Sequence, residues 1–364
     1  MSSTYHCPHA ATRKLPRTAG LLACALVTFA AWAAPAGAST LLVEGAGDGH
    51  GVGMSQYGAL GYAQHGWSDA QILAHYYTGT TLGKAPANSI VKVLEGSRVV
   101  SLPIERYVRG VVAAEMPSNW PLAALEAQAI ASRTYALTSH AGGSRFNVYA
   151  DTRSQVYLGA TAETASSNAA VAATAGQIVL YDGLPATTYF YSSSGGETED
   201  IANSFLGATP EPWLVAVPDA YETKASDWRV SLSFHTAAKR LHGFLDGSFR
   251  GIEVLARGVS PRIVSAEVLG SRGVVKISGP ELEWRLGLSS AWAFFSVRSG
   301  ASAKPEPDLS GRAPSADQPS GSEAAPATPP GTATGTPPAT APQGGAPAPG
   351  SVSSTVDTGG VAAG

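Results

Sequence analysis

The chain has 364 residues, with 24 Lys and Arg against 27 Asp and Glu and a formal net charge of -3. Without an excess of cations or a basic stripe, nucleic acid is excluded as a partner. Its two cysteines, Cys7 and Cys24, both lie near the start of the sequence.

That start reads as a secretory signal peptide over residues 1–38. Arg13, Lys14 and Arg17 precede an apolar run from about Leu21 to Ala34, and Ala36-Gly37-Ala38 offers a cleavage site after Ala38. Leu21-Leu22-Ala23-Cys24 resembles a lipobox, but the apolar run follows the cysteine instead of preceding it. The run is also shorter than the ~20 residues that span a bilayer, so no retained transmembrane anchor is expected. Cleavage removes both cysteines, which excludes disulfides and cysteine-ligated zinc from the mature chain. It also removes three basic residues and no acidic one, taking the net charge to about -6.

In "GDGHGVGMSQYGA", glycine stands at positions 47, 49, 51 and 53 around His50. The spacing is not that of a nucleotide-binding loop, and no Gly-Lys-Ser/Thr follows. A helix follows from Ser68 as N-cap, with Gln71 completing a capping box and Gly79 as the stop. "SIVKVLEGSRVVSL" alternates as a hairpin about Glu95-Gly96-Ser97. After Pro103 the period becomes helical, with Ile104, Tyr107, Val108, Val111 and Val112 on one stripe that continues to Glu115. A second helix is expected from Ser118 or Asn119, with Leu122, Leu125, Ala129 and Leu137 on an apolar side. Gln128, Ser132 and Tyr135 share a polar face, and Arg133 could turn inward only if paired. An alanine-rich helix near 165–175 precedes a hairpin turning at Asp182-Gly183, whose second strand runs into the Ser194-Gly195-Gly196 loop. Helix-like and strand-like segments alternate to about Val297, so residues 39–300 read as a single mixed α+β domain. Residues 301–364, rich in Pro, Ala and Gly, read as a disordered low-complexity tail.

Glu115 is the sharpest chemical candidate, because a carboxyl on an apolar stripe is desolvated and its pKa rises toward that of a general acid. The competing reading is a helix-terminal Glu facing water. Trp120, Gln128, Arg133 and Tyr135 are side-chain types that line polysaccharide clefts, and also types that pack ordinary cores. The loop of Ser194, Gly195 and Gly196 could present backbone N-H groups to a ligand or simply turn the chain, and no G-x-S-x-G elbow accompanies it. His50, His65 and His75 are too widely spaced for a local zinc motif, and neither a metal site nor a cofactor is expected.

Taken together, "GHGVGMSQYGA", "RYVRGVVAAEMPSNWPLAALEAQAIASRTYAL", "DTRSQVYLG" and "YFYSSSGGETED" resemble the SpoIID/LytB (stage II sporulation protein D) family of peptidoglycan-acting proteins. In that family the GHG segment usually comes last, so its position here implies a circularly permuted order. The resemblance implies a secreted, cell-wall lytic transglycosylase cleaving glycan strands between N-acetylmuramic acid and N-acetylglucosamine, with Glu115 as acid and base. It also implies substrate contacts from His50, Gln56, Trp120, Gln128, Arg133, Tyr135, Gln155, Tyr157, Ser194, Gly195 and Gly196, with His50 close to Glu115. Some members bind zinc through Cys and His near the SQVY segment; "YADTRSQVY" has neither. Other relatives are enhancers of a peptidoglycan amidase, which makes a noncatalytic glycan-binding role, with a cell-wall amidase as partner, the alternative. A hydrolase would need a second carboxylate, for which Asp151, Glu197 and Glu199 are the candidates.

Overall fold

A computed structural model describes residues 37–224 and 226–300; residues 1–36, within the expected signal peptide, and residues 301–364, the expected tail, lie outside the described residues. The first strand, Gly37–Gly45 (β1), includes the last two residues of the expected signal peptide. The glycine segment then leads through Met54–Ser55 (β2) into Gln56–Gln64 (α1), capped by Ser55 Oγ on the Gly58 N-H. Asp69–Tyr76 (α2) carries the expected capping box between Ser68 and Gln71. After Thr81–Lys84 (β3), the alternating segment forms the hairpin Ile90–Glu95 (β4) and Arg98–Pro103 (β5).

Helix Ile104–Glu115 (α3) follows directly, and its apolar stripe is buried as the periodicity implies. The next helix, Leu122–Thr138 (α4), starts later than expected, at Pro121 instead of Ser118 or Asn119, so Trp120 lies in the connection. The two-sided reading of α4 needs correction. Leu122 is exposed, whereas both the alanine face and the face bearing Gln128, Ser132 and Tyr135 are buried. The helix runs through the middle of the helical layer, touching α1, α2, α3 and Ala165–Ala173 (α5), so its polar side chains need partners within the fold.

Val148–Tyr149 (β6) adds in parallel to β4. Gln177–Tyr181 (β7) turns at Asp182 and Gly183, both at positive φ, into the two-residue Leu184–Pro185 (β8). The expected long second strand is broken there: Phe190–Tyr191 (β9) leaves the hairpin to pair in parallel with β2. The chain continues through Ile201–Ser204 (α6).

A second hydrophobic cluster forms around Leu41, Val43, Val268 and Leu282. Trp228–Ser233 (β10) and Ala293–Gly300 (β14) flank β1 antiparallel on either side. Phe234–Arg240 (α7), Phe249–Arg257 (β11), Ile263–Gly270 (β12), Val274–Ser278 (β13) and Gly279–Leu286 (α8) complete this part, with the three strands in consecutive order. Among the described residues no helix is long and apolar enough to cross a membrane.

The glycine segment runs where the two clusters meet. All four glycines from Gly47 to Gly53 have positive φ, and two show why a side chain is excluded. A Cβ on Gly53 would lie 2.2 Å from the Tyr189 carbonyl oxygen, and one on Gly51 would lie 2.5 Å from Nε of buried Arg262. Close approach to neighbouring backbone and to a buried arginine therefore accounts for these residues. Gly51→Ala should lower unfolding free energy by about 1–3 kcal/mol. Gly66, at a similar φ of 84° but with nothing within 4 Å of its Cβ position, should lose less as Gly66→Ala in the same urea titration. Equal losses would mean that backbone strain, not the arginine, dominates at Gly51.

Candidate functional site

Glu115 ends α3, and Met116, with extended backbone, carries the chain away. Its side chain is half-buried and held on both oxygens. Oε1 accepts from the Val156 N-H at 2.6 Å, and Oε2 accepts from Gln56 Nε2 at 3.2 Å. Burial raises the Glu115 pKa above the usual carboxylate value, and the two hydrogen bonds draw it back down. Among the described residues, Glu115 forms no salt bridge.

Val156 is positioned by a buried polar network. Gln155 Nε2 donates to the Ser132 carbonyl at 3.2 Å, while Gln128 Nε2 donates to Ser132 Oγ at 2.9 Å. These links tie the segment before Val156 to α4 and aim its N-H at Glu115. Tyr107, its own pKa raised by burial, stacks on Tyr157 at 5.1 Å beneath the same carboxyl. Tyr157 can lie there because α3 has Gly110 at the contact, where a Cβ would meet its ring at 2.6 Å.

Several residues read as cleft-lining from the sequence are packed inside. Arg133 is fully buried, with Nε and Nη2 on the Glu105 carboxylate at 2.9 and 2.7 Å and Nη1 on the Gln177 carbonyl. Its charge is spent within the fold, as burying an arginine demands. Gln128 and Gln155 are buried and brace α4, and Tyr135 is enclosed against Tyr189 and Phe190. The amide oxygens Gln128 Oε1 and Gln155 Oε1 are buried without a hydrogen-bond partner.

The serine-glycine loop is also occupied from within. The Glu222 carboxylate accepts from Ser193 Oγ, from Ser194 Oγ at 2.7 Å, from the Gly195 N-H at 2.7 Å and from the Gly196 N-H at 3.1 Å. Ser194 Oγ additionally reaches buried Asp219, whose pKa is pushed up to about 6, mainly by burial. The loop does bind an anion, but the anion is the protein's own.

His50 packs edge-on against Tyr189 and at a tilt against Tyr191 and Phe205. Its Nδ1 accepts from the Val52 N-H at 3.0 Å and its ring hydrogen-bonds the Phe190 backbone, so it joins the glycine segment to β9. Burial and then Arg262 lower its pKa to about 4, leaving it neutral near pH 7. Gln56 is the residue of the segment that contacts the carboxyl. Beside it, Tyr57 meets Trp120 edge-on at 5.0 Å, both partly exposed, and Lys224 Nζ lies 5.0 Å above the Tyr57 ring. Tyr57 was not legible as a site residue, although it adjoins Gln56 in the same motif.

Of the proposed second carboxylates, Glu199 is buried and accepts from the Val259 and Ser260 backbone and from Ser260 Oγ, and Asp151 is paired with Arg153. Glu197 lies in an isolated bridge opposite Pro218.

The fold and site thus define an α+β protein with one desolvated carboxyl beside partly exposed aromatic rings. A family model described as SpoIID, Stage II sporulation protein, matches residues 95–181, the span holding α3, α4 and Glu115. Stage II sporulation protein D of Bacillus subtilis (strain 168) is 28% identical over 230 residues, 58% of this chain and 65% of the relative. The protein of the same name from Bacillus amyloliquefaciens is 29% identical over the same shares. The amidase enhancer of Bacillus subtilis (strain 168) is 35% identical over 126 residues, 35% of this chain and 17% of the relative. Residues 95–181 are thus similar to the SpoIID family, and the chain spans less than two thirds of the length of these curated relatives.

The Glu115 carboxyl should titrate above a free glutamate in a pH series of carboxyl carbon shifts. Gln56→Ala removes a donor that favours the ionised form, so it should move that midpoint further upward. A downward shift would contradict the geometry.

Proposed function

We propose that this protein acts in the cell wall as a lytic transglycosylase on peptidoglycan glycan strands, with Glu115 as the general acid and then the base. The observation that carries this reading is the half-buried Glu115 carboxyl, raised by burial and held by one peptide N-H and one amide. Such a group retains a proton closer to neutral pH than a free carboxylate does.

The acid gives its proton to the glycosidic oxygen as the bond to the muramoyl C1 breaks, and the N-acetylglucosamine end leaves as a neutral alcohol. The carboxylate then takes the proton of the muramoyl 6-hydroxyl as that oxygen bonds to C1. The 1,6-anhydro ring closes, the acid is restored, and no water enters. Gln56 suits both states, since its amide nitrogen donates to the carboxylate and its oxygen can accept from the acid. An internal nucleophile removes the need for the paired carboxylate of ordinary glycosidases. Trp120 and Tyr57 offer rings against which a sugar can stack.

The relatives' names support a cell-wall setting, and we read the N-terminal segment as its export signal. The antiparallel pairing of β1 with β14 brings the ends of the described chain together, which supports the permuted reading of the motif order. A second reading, a noncatalytic enhancer of a cell-wall amidase, is favoured by the likeness to the protein named amidase enhancer.

The test is mass spectrometry of intact and peptide-stripped glycan after incubation with the protein and with Glu115→Gln. Anhydromuramoyl ends should form with the wild type and fall at least ~100-fold with the variant. Hydrated reducing ends would make the reaction a hydrolysis. If no ends of either kind form, while added amidase is accelerated equally by both proteins, the enhancer reading replaces this one.

A further inference from the structure

We propose a second glycan-binding subsite, remote from Glu115, in the cavity where β1, β10 and β14 meet the serine-glycine loop. The inference rests on the glycan reading above and assigns it a place for strand units beyond those at the carboxyl.

The cavity measures about 490 Å³ and is lined by Trp228, Trp292 and Phe294, with Glu44 and Asp227 among its polar groups. Its rings are fixed in advance. Trp228 Nε1 donates to the Gly47 carbonyl at 3.0 Å, and the ring lies where a Cβ on Gly45 would come within 2.2 Å of it. Trp292 has the Arg262 guanidinium 5.6 Å from its centroid, and Phe294, 49% exposed, has that of Arg257 at 4.3 Å. Rigid aromatic faces beside polar groups suit a pyranose, whose ring face is lined by C-H groups and whose edge carries hydroxyls. The nearby cations are already engaged: Arg229 pairs with Glu44, and Lys224 with Asp48. That arrangement suits a neutral N-acetylglucosamine unit of the strand better than a muramoyl unit with its free lactyl carboxylate.

Continuity with the Glu115 site argues for a strand as the occupant. A smaller cavity of about 150 Å³ shares Asp227 and Trp228 with the first and extends to Asp48 and Lys224. Lys224 lies over Tyr57, Tyr57 meets Trp120, and Gln56, next to Tyr57 on α1, bonds Glu115. A run of aromatic and polar groups therefore leads from the carboxyl to the cavity.

The experiment measures binding of peptide-free glycan strands, long ones and tetrasaccharides, to the full chain carrying Glu115→Gln, by calorimetry. Adding Phe294→Ala should lower the ratio of long-strand to tetrasaccharide affinity about fivefold. Trp292→Ala should do the same, and the exposed Phe294 keeps the test decisive if the Trp292 variant fails to fold. An unchanged ratio, including equal weakening for both lengths, overturns the subsite. Self-association by sedimentation that depends on Phe294, without an effect on glycan, would give the cavity to a second copy and also overturn it. Anhydromuramoyl ends with no Phe294 dependence of binding would sink this inference alone. Phe294-dependent binding of long strands without such ends would leave the subsite standing and sink the transglycosylase reading.

Discussion

The guanidinium of Arg262, one of two buried arginines among the described residues, joins the parts of this molecule. It donates to the carbonyls of Ser194 and Glu197 and to Ser260 Oγ, and it lies near the faces of Tyr191 and Trp292. The carboxyl of Glu283 does little to neutralise it, because burial pushes that group up to about 8 even with Arg262 nearby. A desolvated charge costs several kcal/mol unless its donors are matched. Here the matching oxygens for Nη1 and Nη2 come from the serine-glycine loop and the turn before β12, while Nε has no hydrogen-bond partner where the glycine segment closes over the guanidinium. All three must be in place before the charge is tolerated, so this seam should form cooperatively.

The environment of Glu115 follows from the same arrangement. The helical core delivers the carboxyl at the end of α3 and, through the amide network on α4, the Val156 N-H that meets it. The seam fixes where α1 begins, and therefore where Gln56 points, because β2 pairs with β9 immediately before the helix. Two independent supports thus converge on one side chain. The neutral His50 belongs to this scaffolding: its depressed pKa reflects a ring serving as a hydrogen-bonded prop.

Elements governed by local chemistry were readable in advance. The Ser68 capping box, the hairpin at Glu95 and the helical phase leading to Glu115 depend on neighbours a few residues away. What could not be read was set by contacts distant in sequence. Nothing near Glu115 names Gln56 or Val156 as its partners, and nothing in the serine-glycine loop names Glu222. Arg133, Gln128 and Tyr135 looked like cleft residues because polar side chains on a helix usually face outward. A signal against that was present: Ala127, Ala129, Ala131 and Ala136 spread small residues around α4, the pattern of a helix packed on several sides. The glycine segment's tolerance for a buried arginine could not be inferred without knowing that Arg262 reaches it.

The pairing of β1 with β14 also has a mechanical side. Thr40 lies opposite Arg298 and Gly45 opposite Ala293, so the two strands run in opposite directions from a common edge. A force pulling the two chain ends apart loads the hydrogen bonds of this ladder one after another, as in a zipper, and not all together. Tension would open the sheet from its edge while the helical core, buried behind the glycine seam, carried little of the load.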